Sequence, residues 1–327
     1  MKKTLSAAVA LSVLAAPAFA ANLENPLYMP KQNQMYSKTS AGVMYKVADD
    51  TDAMVRKGHN GATEFPIWRL HEDLGYGITD RLEAYAKVGY THDGDIDRKG
   101  MHQGRVGLKY RAFETLDGFA WDIYADAHLG GVSGMSGSYD MTKGFTYDNY
   151  SNGRWGFHVG SQVGNTWSNF TAAAFFEVLQ TFGNDNNEID ISSTPLMGVP
   201  GMPSEISVDL KSTTEFNAGL KTFYQIDDRW SVGAGFTFKH HEDNGIEGLT
   251  TEVPAMAKPM VDGLLASKAD MNDGFDEYII SLSGSYQLTD ATQVTLYGEY
   301  TFDTAHQESQ NGTDVKAELG ARVNVVF

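Results

Sequence analysis

The chain ends on Val315-Lys316-Ala317-Glu318-Leu319-Gly320-Ala321-Arg322-Val323-Asn324-Val325-Val326-Phe327, and this stretch decides the fold. Val315, Ala317, Leu319, Ala321, Val323, Val325 and Phe327 share one side of an extended chain. Lys316, Glu318, Gly320, Arg322 and Asn324 share the other. Successive side chains on a strand point to opposite faces, so the segment is a strand with one apolar and one charged face. Strands of a soluble sandwich also alternate, but they are shorter and turn the polar face outward.

Working back from this end, the same period of two recurs. Leu82, Ala84, Ala86, Val88 and Tyr90 alternate with Arg81, Glu83, Tyr85, Lys87 and Gly89. Trp121, Ile123, Ala125, Ala127 and Leu129 alternate with Asp122, Tyr124, Asp126 and His128. Like segments follow near 105–112, 155–162, 216–224, 230–239, 277–286 and 294–302, with less regular ones at 35–47, 66–77 and 170–182. Short turns rich in Asp, Asn and Gly near 77–80, 114–118, 164–169, 227–228 and 289–291 alternate strictly with long connections, among them 132–150, 183–208 and 242–274. The pattern predicts an all-β fold, a transmembrane antiparallel β-barrel with short periplasmic turns and long external loops. It has about twelve strands, or ten or fourteen if an irregular segment is misread. Tyr76, Tyr90, Tyr110, Trp121, Trp230 and Tyr286 stand near strand ends on the apolar side, where rings prefer the headgroup level.

The other end of the chain explains how such a protein would reach a membrane. Met1-Lys2-Lys3, an apolar run over 5–17 and Ala18-Phe19-Ala20 predict a signal peptide over 1–20, cleaved before Ala21. Residues 21–34, with Pro26 and Pro30, read as a periplasmic leader, and 35–327 as the barrel. No other stretch is long and apolar enough for a membrane helix. The sequence contains no Cys, so neither disulfides nor thiolate metal sites hold it together. Its formal charge of −17 argues against binding nucleic acid through phosphate contacts.

The terminal Phe327, with apolar residues at alternating positions before it, resembles the C-terminal assembly signal of bacterial outer-membrane proteins. That resemblance implies the barrel-assembly machinery as a partner, with outer-membrane lipid and lipopolysaccharide around the finished wall. The hairpin Leu74-Gly75-Tyr76-Gly77-Ile78-Thr79-Asp80-Arg81-Leu82-Glu83 is similar to one in the outer-membrane family associated with phenol degradation, which implies a role in transport.

The charged face supplies the candidate pore-lining residues: Arg81, Glu83, Lys87, Arg105, Lys109, Arg111, Asp122, Asp126, His128, Arg154, His158, Glu215, Lys221, Glu299, Glu318 and Arg322. Arg105, Lys109 and Arg111 precede a strand bearing Asp122 and Asp126, so adjacent strands bring opposite charges together. The expectation is a passive, porin-like channel for small polar or anionic solutes in the outer membrane of a Gram-negative cell. The alternative is a non-conducting structural or surface-interaction barrel whose acidic loops bind divalent cations. A third reading, an outer-membrane hydrolase, is not expected, because the family patterns for one are missing. No cofactor or metal site is expected. Asp93, Asp95 and Asp97 begin like a calcium loop but lack its later Gly and Glu.

Overall fold

The computed structural model describes residues 22–48, 65–94, 98–102, 104–130, 136–140, 144–147, 154–192, 194–242, 246–269, 274–305 and 315–327. The signal peptide expected over 1–20 lies outside them. Twelve long strands form the wall: β1 (Met35–Ala48), β2 (Ile67–Thr79), β3 (Leu82–Asp93), β4 (Gly104–Glu114), β5 (Phe119–Leu129) and β6 (Gly156–Trp167) make one half. The other half is β7 (Phe170–Thr181), β8 (Thr213–Gln225), β9 (Trp230–His241), β10 (Phe275–Thr289), β11 (Thr292–Ala305) and β12 (Val315–Val326).

Each strand pairs antiparallel with the next, and β12 returns to β1 in a register running from Tyr36↔Val326 to Lys46↔Lys316. The terminal Phe327 completes that seam: its N–H donates to the Met35 carbonyl at 2.8 Å, and Met35 N–H donates back at 3.2 Å. Closure leaves no unpaired strand edge, which is what lets a sheet stand in hydrocarbon.

The faces are inverted relative to a soluble protein. Along β5, Phe119, Trp121, Ile123, Ala125 and Ala127 are exposed, whereas Asp122, Asp126 and His128 are buried. Around the wall Leu108, Val159, Leu220, Leu282, Leu296 and Leu319 also point outward. The tight turns fall where the sequence puts them. In the β8–β9 turn the Asp227 carboxylate accepts the backbone N–H groups of Arg229 and Trp230 at 2.8 and 2.7 Å, which holds its pKa below the ordinary value.

The long connections hold more structure than the sequence suggests. A second sheet runs in the order Ile246–Leu249, Glu205–Leu210, Asn184–Asp190, Ser136–Asp140, Gly144–Tyr147. Its strands are short, and Glu205–Leu210 shows a clear period of two, burying Ile206, Val208 and Leu210. They gather an apolar cluster of Ile191, Leu196, Ile206, Val208, Leu210, Ala257 and Val261. The apolar centre of the 242–274 connection belongs here: helix α1 (Lys258–Ala269) buries Val261 in that cluster, and Val253 packs against it.

If the outward face meets lipid, Leu319→Arg near the middle of β12 should destabilise the barrel by about 2–4 kcal/mol, read from urea unfolding in lipid vesicles. An unchanged unfolding midpoint would contradict the lipid-facing assignment.

Candidate functional site

The lumen is the concave, polar space of this molecule, and the leader forms its floor at the end of the short turns. Sequence alone leaves 21–34 outside the barrel; the structure folds the described part, 22–34, into it. The physical reason is a match of needs. The irregular leader carries backbone carbonyls with no ladder to satisfy them, and the inward faces of the first strands carry amine, guanidinium and amide donors. Lys38 Nζ donates to the Leu23 carbonyl at 2.7 Å, and Gln162 Nε2 to that of Pro26 at 2.7 Å. Arg111 Nη2 reaches the Leu27 carbonyl at 2.6 Å, and Lys109 Nζ that of Tyr28 at 2.7 Å.

Side chains of the leader complete the attachment. Glu24 accepts from Arg322 Nη1 at 2.9 Å and from Asn324 Nδ2 at 2.8 Å. Burial alone would raise the Glu24 pKa, but Arg322, Lys38 and Asn324 outweigh it and hold the carboxyl below its ordinary value. Asn22 bonds Gln225, Ser231 and Gln293, and Asn25 donates to Thr171 at 3.2 Å. Leu23 packs with Tyr36 and Val326, and Leu27 with Ala120 and Ala173. Close approach to β2 requires Gly77, because a Cβ there would collide with the Lys31 carbonyl oxygen.

Above the floor, charges pair across strands. Asp126 is the hub of one network: it accepts from Arg105 Nε at 3.0 Å and Nη2 at 2.8 Å, from the Tyr85 hydroxyl at 2.7 Å, and lies 2.8 Å from His158 Nδ1. His128 Nε2 stands 3.2 Å from the same carboxylate. The other face of His158 meets Glu177 at 3.5 Å, which also accepts the Tyr124 hydroxyl at 2.6 Å. Toward the end away from the leader, Glu277 gathers Lys316 at 3.1 Å, Lys239 at 3.6 Å and His241 at 3.1 Å, while Glu215 holds the second nitrogen of His241 at 3.0 Å. Arg69 and Glu318 pair at 2.9 Å.

Most residues singled out from the sequence therefore face inward, in distinct groups. Arg105, Asp126, His128 and His158 form the middle network. Lys109, Arg111, Asp122 and Glu83 form one beside the leader, with Arg111 Nε 2.7 Å and Lys109 3.8 Å from Asp122, and Lys109 3.7 Å from Glu83. Lys87 stands 3.9 Å from Asp73, a looser contact. Arg81 differs: β3 begins at Leu82, and Arg81 sits exposed in the preceding turn, where its N–H donates to Thr79 Oγ1 at 3.2 Å. Arg154 differs too, because it precedes β6 and caps the carbonyls of Phe182 and Lys211. Sequence reasoning missed Glu24, Lys38 and Gln162, whose roles exist only once the leader is inside. Asp93 is buried at the end of β3, while Asp95 and Asp97 lie outside the described residues. Among the described residues no group of three His, Asp or Glu is arranged to hold a metal.

Between the floor and the upper network lies a cavity of about 520 Å³, walled by polar side chains that include Lys87, Arg105, Lys221 and Glu299.

No protein-family model matches the sequence, and no curated protein does. Solved structures do. The chain is similar to the COG4313 outer membrane channel from Pseudomonas putida F1, with a TM-score of 0.58 and 12% identity over 94% of this chain and 100% of that one. Looser likeness extends to the NanC porin, with a TM-score of 0.41 and 9% identity over 86% of this chain and 98% of that one. The toluene transporter TodX of Pseudomonas putida stands at a TM-score of 0.42 and 9% identity, over 94% of this chain and 91% of that one. With its closed wall, inverted faces and C-terminal seam, the chain has the fold of an outer-membrane β-barrel.

Proposed function

We propose that the protein is a passive channel in the outer membrane of a Gram-negative cell, passing small polar solutes through a lumen whose bore the leader sets. One observation carries this reading: a polar chamber of about 520 Å³ lies inside a wall that is apolar on its outer side. A stable protein has no need to keep such a space open, since small barrels are readily filled by their own side chains. The COG4313 structure, the one with a TM-score of 0.58, is described as a channel, which agrees with this reading.

The preference for anions expected from sequence narrows to a smaller set of groups, because Arg105, Lys109, Arg111 and Arg322 are each committed to carboxylates or carbonyls. Phe327 is assigned to recognition by the assembly machinery, and the outward apolar face to lipid and lipopolysaccharide. A second reading, a surface-interaction barrel with a closed lumen, rests on the external sheet and its own apolar cluster.

Planar-bilayer recording separates the two. The intact protein is expected to give small, stable unit steps, and a form lacking 22–34 larger ones. Silence from both forms across salt conditions would remove the channel reading and leave the second. In a conducting protein, Arg105→Ser leaves the Asp126 charge without its two-pronged partner and should shift selectivity toward cations. An unchanged reversal potential would show that this network is not felt by the permeating ion.

A further inference from the structure

One cation and one carboxylate break the pairing rule of the lumen. Among the described residues, neither the Lys221 nor the Glu299 side chain has a hydrogen bond or ion pair, and both line the cavity. Lys221 is exposed to the lumen and holds its ammonium 4.6 Å from the centre of the Phe175 ring, an apolar brace on one side only. Its charged surroundings are Glu177, Lys87, Lys109 and Glu299. Of these, Glu177 is engaged by Tyr124 and His158, and Lys109 by the leader.

The register explains why the two do not simply meet. Lys221 on β8 is opposite Gly235 on β9, Gly235 is opposite Ser281 on β10, and Ser281 is opposite Glu299 on β11. The four residues form a single row across adjacent strands. Three strand spacings separate its ends by about 14 Å. The next row toward the periplasm places Gly233 against Ser283, and Ser283 against Tyr297. The inner wall between the two charges is therefore a shelf of glycine backbone and serine hydroxyls. The serine hydroxyls lie over the glycines: a Cβ at Gly235 would stand 2.5 Å from Ser281 Oγ, and one at Gly233 2.7 Å from Ser283 Oγ. Charged groups held in a confined space and left unpaired cost free energy that a complementary ligand recovers.

We propose that this row is a binding subsite for small zwitterions, with the solute's carboxylate at Lys221, its ammonium at Glu299 and its short body against the glycine–serine shelf. Lys221 and Glu299 stand at the two ends of a bare row, so neither a simple anion nor a simple cation satisfies both. A molecule with opposite charges at its two ends does. The proposal deepens the channel reading by naming the class of solute, and it rests on that reading for its physiological sense. As a binding site it is tested without any current.

The test is calorimetric titration of the whole protein in detergent, with 4-aminobutyrate as the zwitterion, butyrate as the anion and butylamine as the cation. Binding of 4-aminobutyrate is expected to be at least about tenfold tighter than that of either singly charged probe, in line with two charge-assisted contacts in place of one. Lys221→Met and Glu299→Gln should each remove that advantage. The exchanged pair Lys221→Glu with Glu299→Lys should restore it, because a zwitterion can turn end for end. Heat-modifiable gel migration checks that each variant is folded, and the exchanged pair provides a folded comparison if a single variant is not. Equal binding of the three probes, or an advantage untouched in both single variants, would overturn the proposal. Zwitterion binding by a protein that is silent in bilayers would uphold the subsite and sink the channel reading. Conduction without selective binding would do the reverse.

Discussion

Cationic side chains on the inner wall, donating to the backbone carbonyls of the leader, are the contact on which the interior of this barrel depends. The wall itself is self-sufficient: every strand has two partners, and β12 meets β1 through a register that runs to the last residue. The lumen is not. A closed barrel with Lys38, Lys109, Arg111 and Arg322 pointing inward must find acceptors for them away from bulk water, and burying an unpaired charge is expensive. The leader provides the carbonyls of Leu23, Leu27 and Tyr28 and the carboxylate of Glu24. Hydrogen bonds to charged groups contribute roughly 1.5–3 kcal/mol each. Several acting on one short segment hold it without any regular secondary structure of its own.

That arrangement divides the lumen into levels with different chemistry. At the floor, the charges belong to the leader. In the middle, Asp126 and Glu177 are saturated by Arg105, His158, Tyr85 and Tyr124. Toward the end away from the leader, Glu277 and Glu215 share His241. Charge in the lumen is thus mostly a matter of internal neutralisation. The groups left over, set by the spacing of β8 to β11, carry more information about a passing solute than the total count of basic residues.

The wall was legible in the sequence for a simple reason. A strand between lipid and a polar lumen must alternate at every step; the segment ending in Leu129 does so throughout, and the last strand does so as far as Val325. That Arg105, Lys109 and Arg111 would face the carboxylates of Asp122 and Asp126 on the next strand was legible too, while the individual pairs came only with the register. The leader was not. Asn22, Glu24 and Asn25 read as polar residues of a solvated segment, and nothing local tells a carboxylate in water from one facing Arg322. The external sheet was hidden because its strands are short pieces scattered through long polar connections, so that even the alternation of Glu205–Leu210 stands alone. Arg81 and Arg154 were misplaced by a residue or two, at strand ends where turn geometry competes with alternation.

The position of the leader is the claim from which the rest of the interior follows, and the absence of Cys from the sequence makes it directly testable. Asn25 and Thr171 touch through their side chains at 3.2 Å although they lie far apart in sequence. Replacing both with Cys and oxidising the protein in intact outer membranes should give a disulfide-linked species with altered gel mobility. Failure of that pair to link, while Ser285→Cys with Thr295→Cys, directly opposed on adjacent strands of the inner wall, links readily, would contradict a leader lodged in the lumen.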